Sequence, residues 1–357
     1  MRLGNLFIAG ASSWLPPAVS VETAIAEGRY DPAEQAQNSY LSITVAAGDA
    51  PPDMAVRAAR LAMAQSGLTA ADVALTLHAS LWYQGIDFWP AASYIHRQVL
   101  GGGGRHAPAI DMHQMSNGSL AAVELAASYL TADVSRPAAL ITVADRLAGP
   151  GFDRWRSDLH SIVYGDGAAA LVLARQGFAR LLSVATISDS SLEPMYRGNQ
   201  PFGPVWGHAG GPLDNRARRQ AFLAQASVDS VVRRTSAGLT EVVDLALSEA
   251  GLTRRDISWS VFPNIGLTAL RSAYLRVLGL DVAATTWECG RRTGHVGAAD
   301  QLVSLAWLAD RGRAKPGDRV MLVGIGAGFS WTCAIAEFTA IPPARVGADR
   351  GGPDRAR

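Results

Sequence analysis

The sequence predicts an α/β protein assembled from one unit used twice, and three observations lead there. Residues Ala62–Val73 and Ala246–Ile257 echo each other: each brings a helical pattern to Gly-Leu-Thr and enters a strand through an Asp, Asp72 in one and Asp256 in the other. Short apolar runs alternate with helically spaced segments, as βα units require. The order of these elements in the first half then recurs in the second, which predicts two halves packed about a pseudo-twofold axis.

In the first half, Leu6–Ala9 reads as a strand, Ala55–Gln65 as a helix and Val73–His78 as a strand. Ala109–Met115 leads into Ser116-Asn117-Gly118, after which Leu120, Val123, Ala127 and Leu130 recur at helical spacing, so Ser116 falls at a strand-to-helix junction. Ala138–Val143 and Gly165–Leu173 are apolar enough for buried strands. The second half opens with a strand at Leu181–Ile187, passes the echo, and gives a strand at Ser258–Phe262. Next comes Gly294–Asp300, with Leu302, Leu305 and Ala309 at helical spacing, and then strands at Val320–Val323 and Trp331–Phe338. His295 is thus the counterpart of Ser116, and the pseudo-dyad is expected to bring these two helix starts together.

Composition narrows the function. An apolar fraction of 48% over 357 residues supports a large core. A net charge of +1 argues against a nucleic-acid binder, and no run approaches membrane-spanning length or has the form of a secretory leader. Cys289 and Cys333 have neither metal-ligand spacing nor disulfide density, so no metal and a cytoplasmic setting are expected. The Pro-, Gly-, Arg- and Asp-rich stretch 341–357 is expected to be a flexible tail.

A helix start favours negative charge developing on a nearby oxygen, which suits a nucleophile. Serine needs a base oriented by a carboxylate, and His295 with Asp300 supplies both types. Set against this, Ser116 also fits an N-cap, His295 a structural hydrogen-bonder and Asp300 an exposed first-turn residue. Gly324-Ile325-Gly326-Ala327-Gly328 lacks the full dinucleotide pattern; a backbone turn approaching the nucleophile is the better use of its glycines. His113, three residues before Ser116, is expected to point away from it by strand alternation.

At these residues the chain resembles the thiolase superfamily, in the type III ketosynthase-like branch related to bacterial 3-oxoacyl-[acyl-carrier-protein] synthase III. Gly165-Asp166-Gly167-Ala168-Ala169, Lys315-Pro316-Gly317-Asp318 and Gly324–Trp331 carry the resemblance, which spans residues 1–340. It implies the thiolase fold, with two duplicated βαβαβαββ halves forming a five-layered αβαβα architecture. One half, 1–176, would carry the nucleophile and the other, 177–340, the His and Asp.

Ser116 stands where the family has its nucleophilic Cys, Asn264 near the family's His, and Gly294-His295 in place of Gly-Asn. A Ser-His-Asp set so placed looks like the natural-product branch whose members move an acyl group onto another acceptor. The resemblance therefore implies an acyltransferase of secondary-metabolite (polyketide or antibiotic) biosynthesis with catalytic Ser116, His295 and Asp300. The backbone N–H of Ser116 and that of Ala327 would hold the oxyanion, and Asn264 would be a positioning companion. No cofactor is bound permanently; the donor arrives as a phosphopantetheine thioester on acyl carrier protein or coenzyme A. A decarboxylative starter-unit condensing enzyme, a thioesterase and a non-catalytic partner are the alternatives. A small-molecule acceptor and a homodimer are further implied. Trp82, Phe88 and Trp89 fall where the family shapes its acyl pocket and dimer contact, and Arg216, Arg218 and Arg219, after the Gly203–Leu213 loop, are candidates for carrier docking.

Overall fold

The computed structural model describes residues 1–203 and 212–343. Most of the expected tail and of the Gly203–Leu213 loop lies outside the described residues. The first half supplies β1 (Arg2–Trp14), a small pair β2 (Ala18–Ser20) and β3 (Ser42–Thr44), then β4 (Val73–Ala79), β5 (Ala109–Met112), β6 (Ala138–Asp145) and β7 (Gly167–Ala174). The second supplies β8 (Ala179–Ser188), β9 (Trp259–Val261), β10 (Arg319–Gly326) and β11 (Ser330–Phe338). The principal helices are α1 (Pro51–Ser66), α2 (Ala91–Leu100), α3 (Gly118–Thr131), α4 (Asn215–Leu223), α5 (Val228–Ala250) and α6 (Asp300–Asp310).

Among the described residues nine strands join in the order β5-β4-β6-β7-β1-β8-β11-β10-β9. The first half's five major strands, taken in chain order, lie as third, second, fourth, fifth, first. The second half repeats second, fourth, fifth, first, and its third place is reduced to a parallel bridge between Ser260 and Thr285. β1 and β8 lie antiparallel at the junction. Because β1 has a partner on both sides, its ladder runs well beyond the expected Leu6–Ala9.

Alternation along the strands feeds three separate cores. Ile141 and Val143 of β6 face inward to Leu120 and Val123 of α3 and Leu302 and Leu305 of α6, while Leu140 and Ala144 face outward to α1. In the second half, Leu322 of β10 faces inward, whereas Met321 and Val323 pack against Leu239 and Val243 of α5. Outer helices, the first half of the sheet, inner helices, the second half of the sheet and outer helix make the five layers of a thiolase-like fold. Each buried Leu or Ile contributes about 1.5–3 kcal/mol relative to exposure.

The sequence echo has a structural cause. Gly67 (φ 68°) and Gly251 (φ 70°) end α1 and α5 in the left-handed region, where a Cβ is disfavoured. Thr69 with Asp72, and Thr253 with Asp256, then form matching capping boxes. Among the described residues no helix is long and apolar enough to cross a membrane.

Candidate active site

α3 and α6 meet at the centre of the molecule. A Cβ on Gly118 would lie 3.1 Å from that of Ala298, and Ser119 Oγ donates to Gln301 Oε1 at 3.1 Å. Ser116 sits in the turn Met115–Asn117 that enters α3, and Met115 takes a left-handed φ of 49°, a conformation costly for a residue with a Cβ. Side chains hold this turn: Gln114 Nε2 and Asn117 Nδ2 both donate to Ser330 Oγ, at 2.8 and 3.1 Å, and Asn117 also donates to Thr332 Oγ1 at 2.8 Å. The glycines of β10 permit the approach, since a Cβ on Gly326 would stand 2.5 Å from the Gln114 carbonyl.

The pseudo-equivalent turn, Gly297–Ala299, precedes α6, so the position matching Ser116 is Ala298 and not the expected His295, which lies before this turn and is separated by it from Asp300. Ser116 Oγ and His295 Nε2 are 2.8 Å apart, and His295 Nδ1 and Asp300 Oδ2 are 2.5 Å apart. Asp300 is fully buried rather than an exposed first-turn residue, and it accepts backbone N–H bonds from Asn264 (2.8 Å) and Val296 (2.7 Å). Burial disfavours charge on His295, but the adjacent Asp300, with Asp158 and Asp145 beyond, outweighs it and raises the imidazole pKa. Burial pushes the Asp145 carboxyl up to about 7, against the N–H groups of Trp82, Leu81 and Ala298 that it accepts.

Ser116 and His295 open onto a cavity of about 840 Å³. Trp82, Phe152 and Tyr164 line it and form a run of ring contacts ending at His295, with successive centroids 5.0, 5.4 and 5.2 Å apart. Ala327, in the turn between β10 and β11, lines the same space, as do Arg218 and Arg219.

Several expected positions differ. Phe88 and Trp89 do not line the cavity: Phe88, at φ 50°, is fully exposed, and Trp89 packs on Tyr94. Arg216 is drawn to the Asp158 carbonyl and the Glu34 carboxylate and is no part of the wall. Asn264 is no acyl-positioning side chain, because its amide donates to Thr293 Oγ1 at 3.1 Å; its backbone N–H instead braces Asp300. His113 lines the cavity after all, because the extended backbone ends at Gln114 and Met115, where strict alternation ceases to apply. Asp145, Asp158 and Tyr164 were not singled out from sequence.

The fold and the paired helix starts define a thiolase-like protein. Residues 110–190 match the family described as 3-oxoacyl-[acyl-carrier-protein] synthase III, and residues 247–338 match its C-terminal region. The solved structure of the acyltransferase ChlB3 is 35% identical, with a TM-score of 0.89 over 95% of this chain and 99% of that one. The β-ketoacyl-[acyl-carrier-protein] synthase III of Thermosynechococcus vestitus is 28% identical over 288 residues, 79% of this chain and 82% of the relative. The Pseudomonas aeruginosa 3-oxoacyl-(acyl carrier protein) synthase III structure shares the fold, with 21% identity and a TM-score of 0.76 over 95% of this chain and all of that one. The chain belongs to the ketosynthase III family.

Proposed function

We propose that the protein is an acyltransferase working by acyl transfer through Ser116. The observation that carries this is the unbroken hydrogen-bonded line Ser116–His295–Asp300 at the wall of a large cavity. His295 Nε2 takes the Ser116 proton as Oγ attacks the carbonyl of an acyl thioester borne by acyl carrier protein or coenzyme A. The oxyanion is held by the backbone N–H groups of Ser116 and Ala327, each worth about 3 kcal/mol. The thiol leaves with the proton from His295, which then takes the proton of an acceptor hydroxyl, amine or thiol as it attacks the acyl-serine, and returns that proton to Ser116 Oγ as the Oγ–acyl bond breaks. The acceptor is a sugar, an aminocyclitol or a second carrier protein in secondary-metabolite assembly. The ring run from Trp82 to Tyr164 favours a compact or aromatic acyl group. Support comes from ChlB3, which bears the name acyltransferase.

The protein is further proposed to act as a cytoplasmic homodimer, with the edge strand β5 and its exposed Ile110 facing the second copy.

A decarboxylative condensing reaction is the second reading, favoured by the name of the sequence relatives. Intact-protein mass spectrometry with a panel of acyl thioesters separates the two. Transfer predicts an acyl adduct on the parent, absent from Ser116→Ala, that persists with malonyl thioester and without release of labelled carbon dioxide. Consumption of the adduct with decarboxylation refutes transfer.

A further inference from the structure

Behind the cavity wall lies a second carboxylate, linked to the proposed base through the wall residue Tyr164. Asp158 is 1% exposed and accepts from Tyr164 Oη at 2.5 Å, Asn215 Nδ2 at 3.1 Å and its neighbour Leu159 N at 2.7 Å. Its carboxylate makes no ion pair within 4.0 Å among the described residues, and Arg216 Nε donates to its backbone carbonyl instead. The carboxylate oxygens are thus held by neutral donors within a buried site.

Tyr164 stands between this carboxylate and the base. Its ring centroid is 5.2 Å from that of His295 at an interplanar angle of 39°. The backbone locks the two together: His295 N donates to the Val163 carbonyl at 2.8 Å, and Gly165 N to the His295 carbonyl at 3.0 Å. A phenol that donates to a carboxylate gains electron density, and an electron-rich ring attracts a cation across its face.

We propose that Tyr164 and Asp158 form a positioning pair for His295, stabilising the imidazolium at its ring face while Asp300 stabilises it at Nδ1. The groups acting on His295 are then Asp300 from α6, Asp145 from the end of β6, and Tyr164 and Asp158 from the segment before β7. Arg154, behind the Tyr164 carbonyl, is compensated by the fully buried Asp166 at 3.0 Å. Arg218 and Arg219 lie on the same cavity wall, and Arg218 interacts electrostatically with Asp158.

The proposal rests on His295 acting as base, and its test reads the ring separately from that reaction. In the Ser116→Ala background, which has no acyl chemistry, NMR titration of His295 is followed with Tyr164→Phe and with Asp158→Asn. Both are expected to move the midpoint to lower pH; an unmoved midpoint in the pair overturns the proposal. Tyr164→Phe keeps the ring and carries the test if Asp158→Asn does not fold. With Ser116 present, single-turnover acylation by benzoyl- and octanoyl-N-acetylcysteamine is expected to slow about 3- to 30-fold with KM changed less than about twofold. A loss confined to KM also overturns it.

Discussion

Replacing Asp300 by Asn tests the orientation of the base most directly. The carboxylate takes two donors at Oδ2, from His295 Nδ1 and Asn264 N, and one at Oδ1 from Val296 N. An amide offers one acceptor oxygen. If that oxygen stays with Val296, the amide nitrogen faces both His295 Nδ1 and the Asn264 N–H. The imidazole then turns to the tautomer protonated at Nε2, which points a proton at Ser116 and cannot accept one. The same tautomer error costs about 10⁴-fold in kcat in a Ser-His-Asp protease, so acylation here is expected to fall by about 10³–10⁴. The orphaned Asn264 N–H adds a loss of about 1–3 kcal/mol in stability. Rapid-quench measurement of the acyl-enzyme, with thermal unfolding alongside, reads both numbers. Acylation within about tenfold of the parent in a folded variant refutes the assigned role.

Other outcomes follow from the same geometry. Gly326→Ala drives a methyl toward the Gln114 carbonyl and should cost about 1–3 kcal/mol by thermal unfolding while slowing acylation; unchanged kinetics would mean that β10 does not brace the nucleophile turn. Trp82→Ala should slow acylation by aromatic thioesters more than by straight-chain ones, and equal losses would remove the ring run from donor selection. Arg219→Glu should raise the KM for a carrier-bound donor while leaving a small thioester unaffected, and parallel changes would place Arg219 in the reaction rather than in docking. The Asp145 carboxyl has a folded-state pKa raised from 3.8 to about 7, so the native state holds its proton more tightly than the unfolded chain. Its stabilisation is present below pH 3.8 and is lost as pH rises through about 7, at most about 4 kcal/mol, and Asp145→Asn should flatten this part of the stability profile.

The duplication made the fold readable, because matched glycines and capping boxes leave the same residue pattern twice. It also brought the two helix starts together, although Ser116 lies inside its turn, Met115–Asn117, whereas His295 lies just before the matching turn Gly297–Ala299. What stayed hidden depends on contacts that local pattern does not encode. The loop after β4 turns at Phe88 into a left-handed conformation, so neighbours in one aromatic run part company: Trp82 lines the cavity and Phe88 meets solvent. Asn264 braces Asp300 through its backbone N–H, yet its side chain is claimed by Thr293. Tyr164 and Asp158 lie in a segment without helical or strand periodicity, and only the bridge between Tyr164 and His295 gives them meaning.

The antiparallel seam of β1 and β8 has a consequence for how such a site is acquired and lost. The proposed nucleophile and base belong to different halves, so neither half holds the pair by itself. Chemistry here is a property of docking: a sub-ångström slip along the seam changes the reach from Ser116 to His295 while leaving each copy's own hydrogen bonds intact. Substitutions along Leu6–Ile8 and Ala179–Leu181, remote from any substrate, thereby become levers on turnover, and a chain severed between β7 and β8 regains activity only to the extent that its two pieces find their register again.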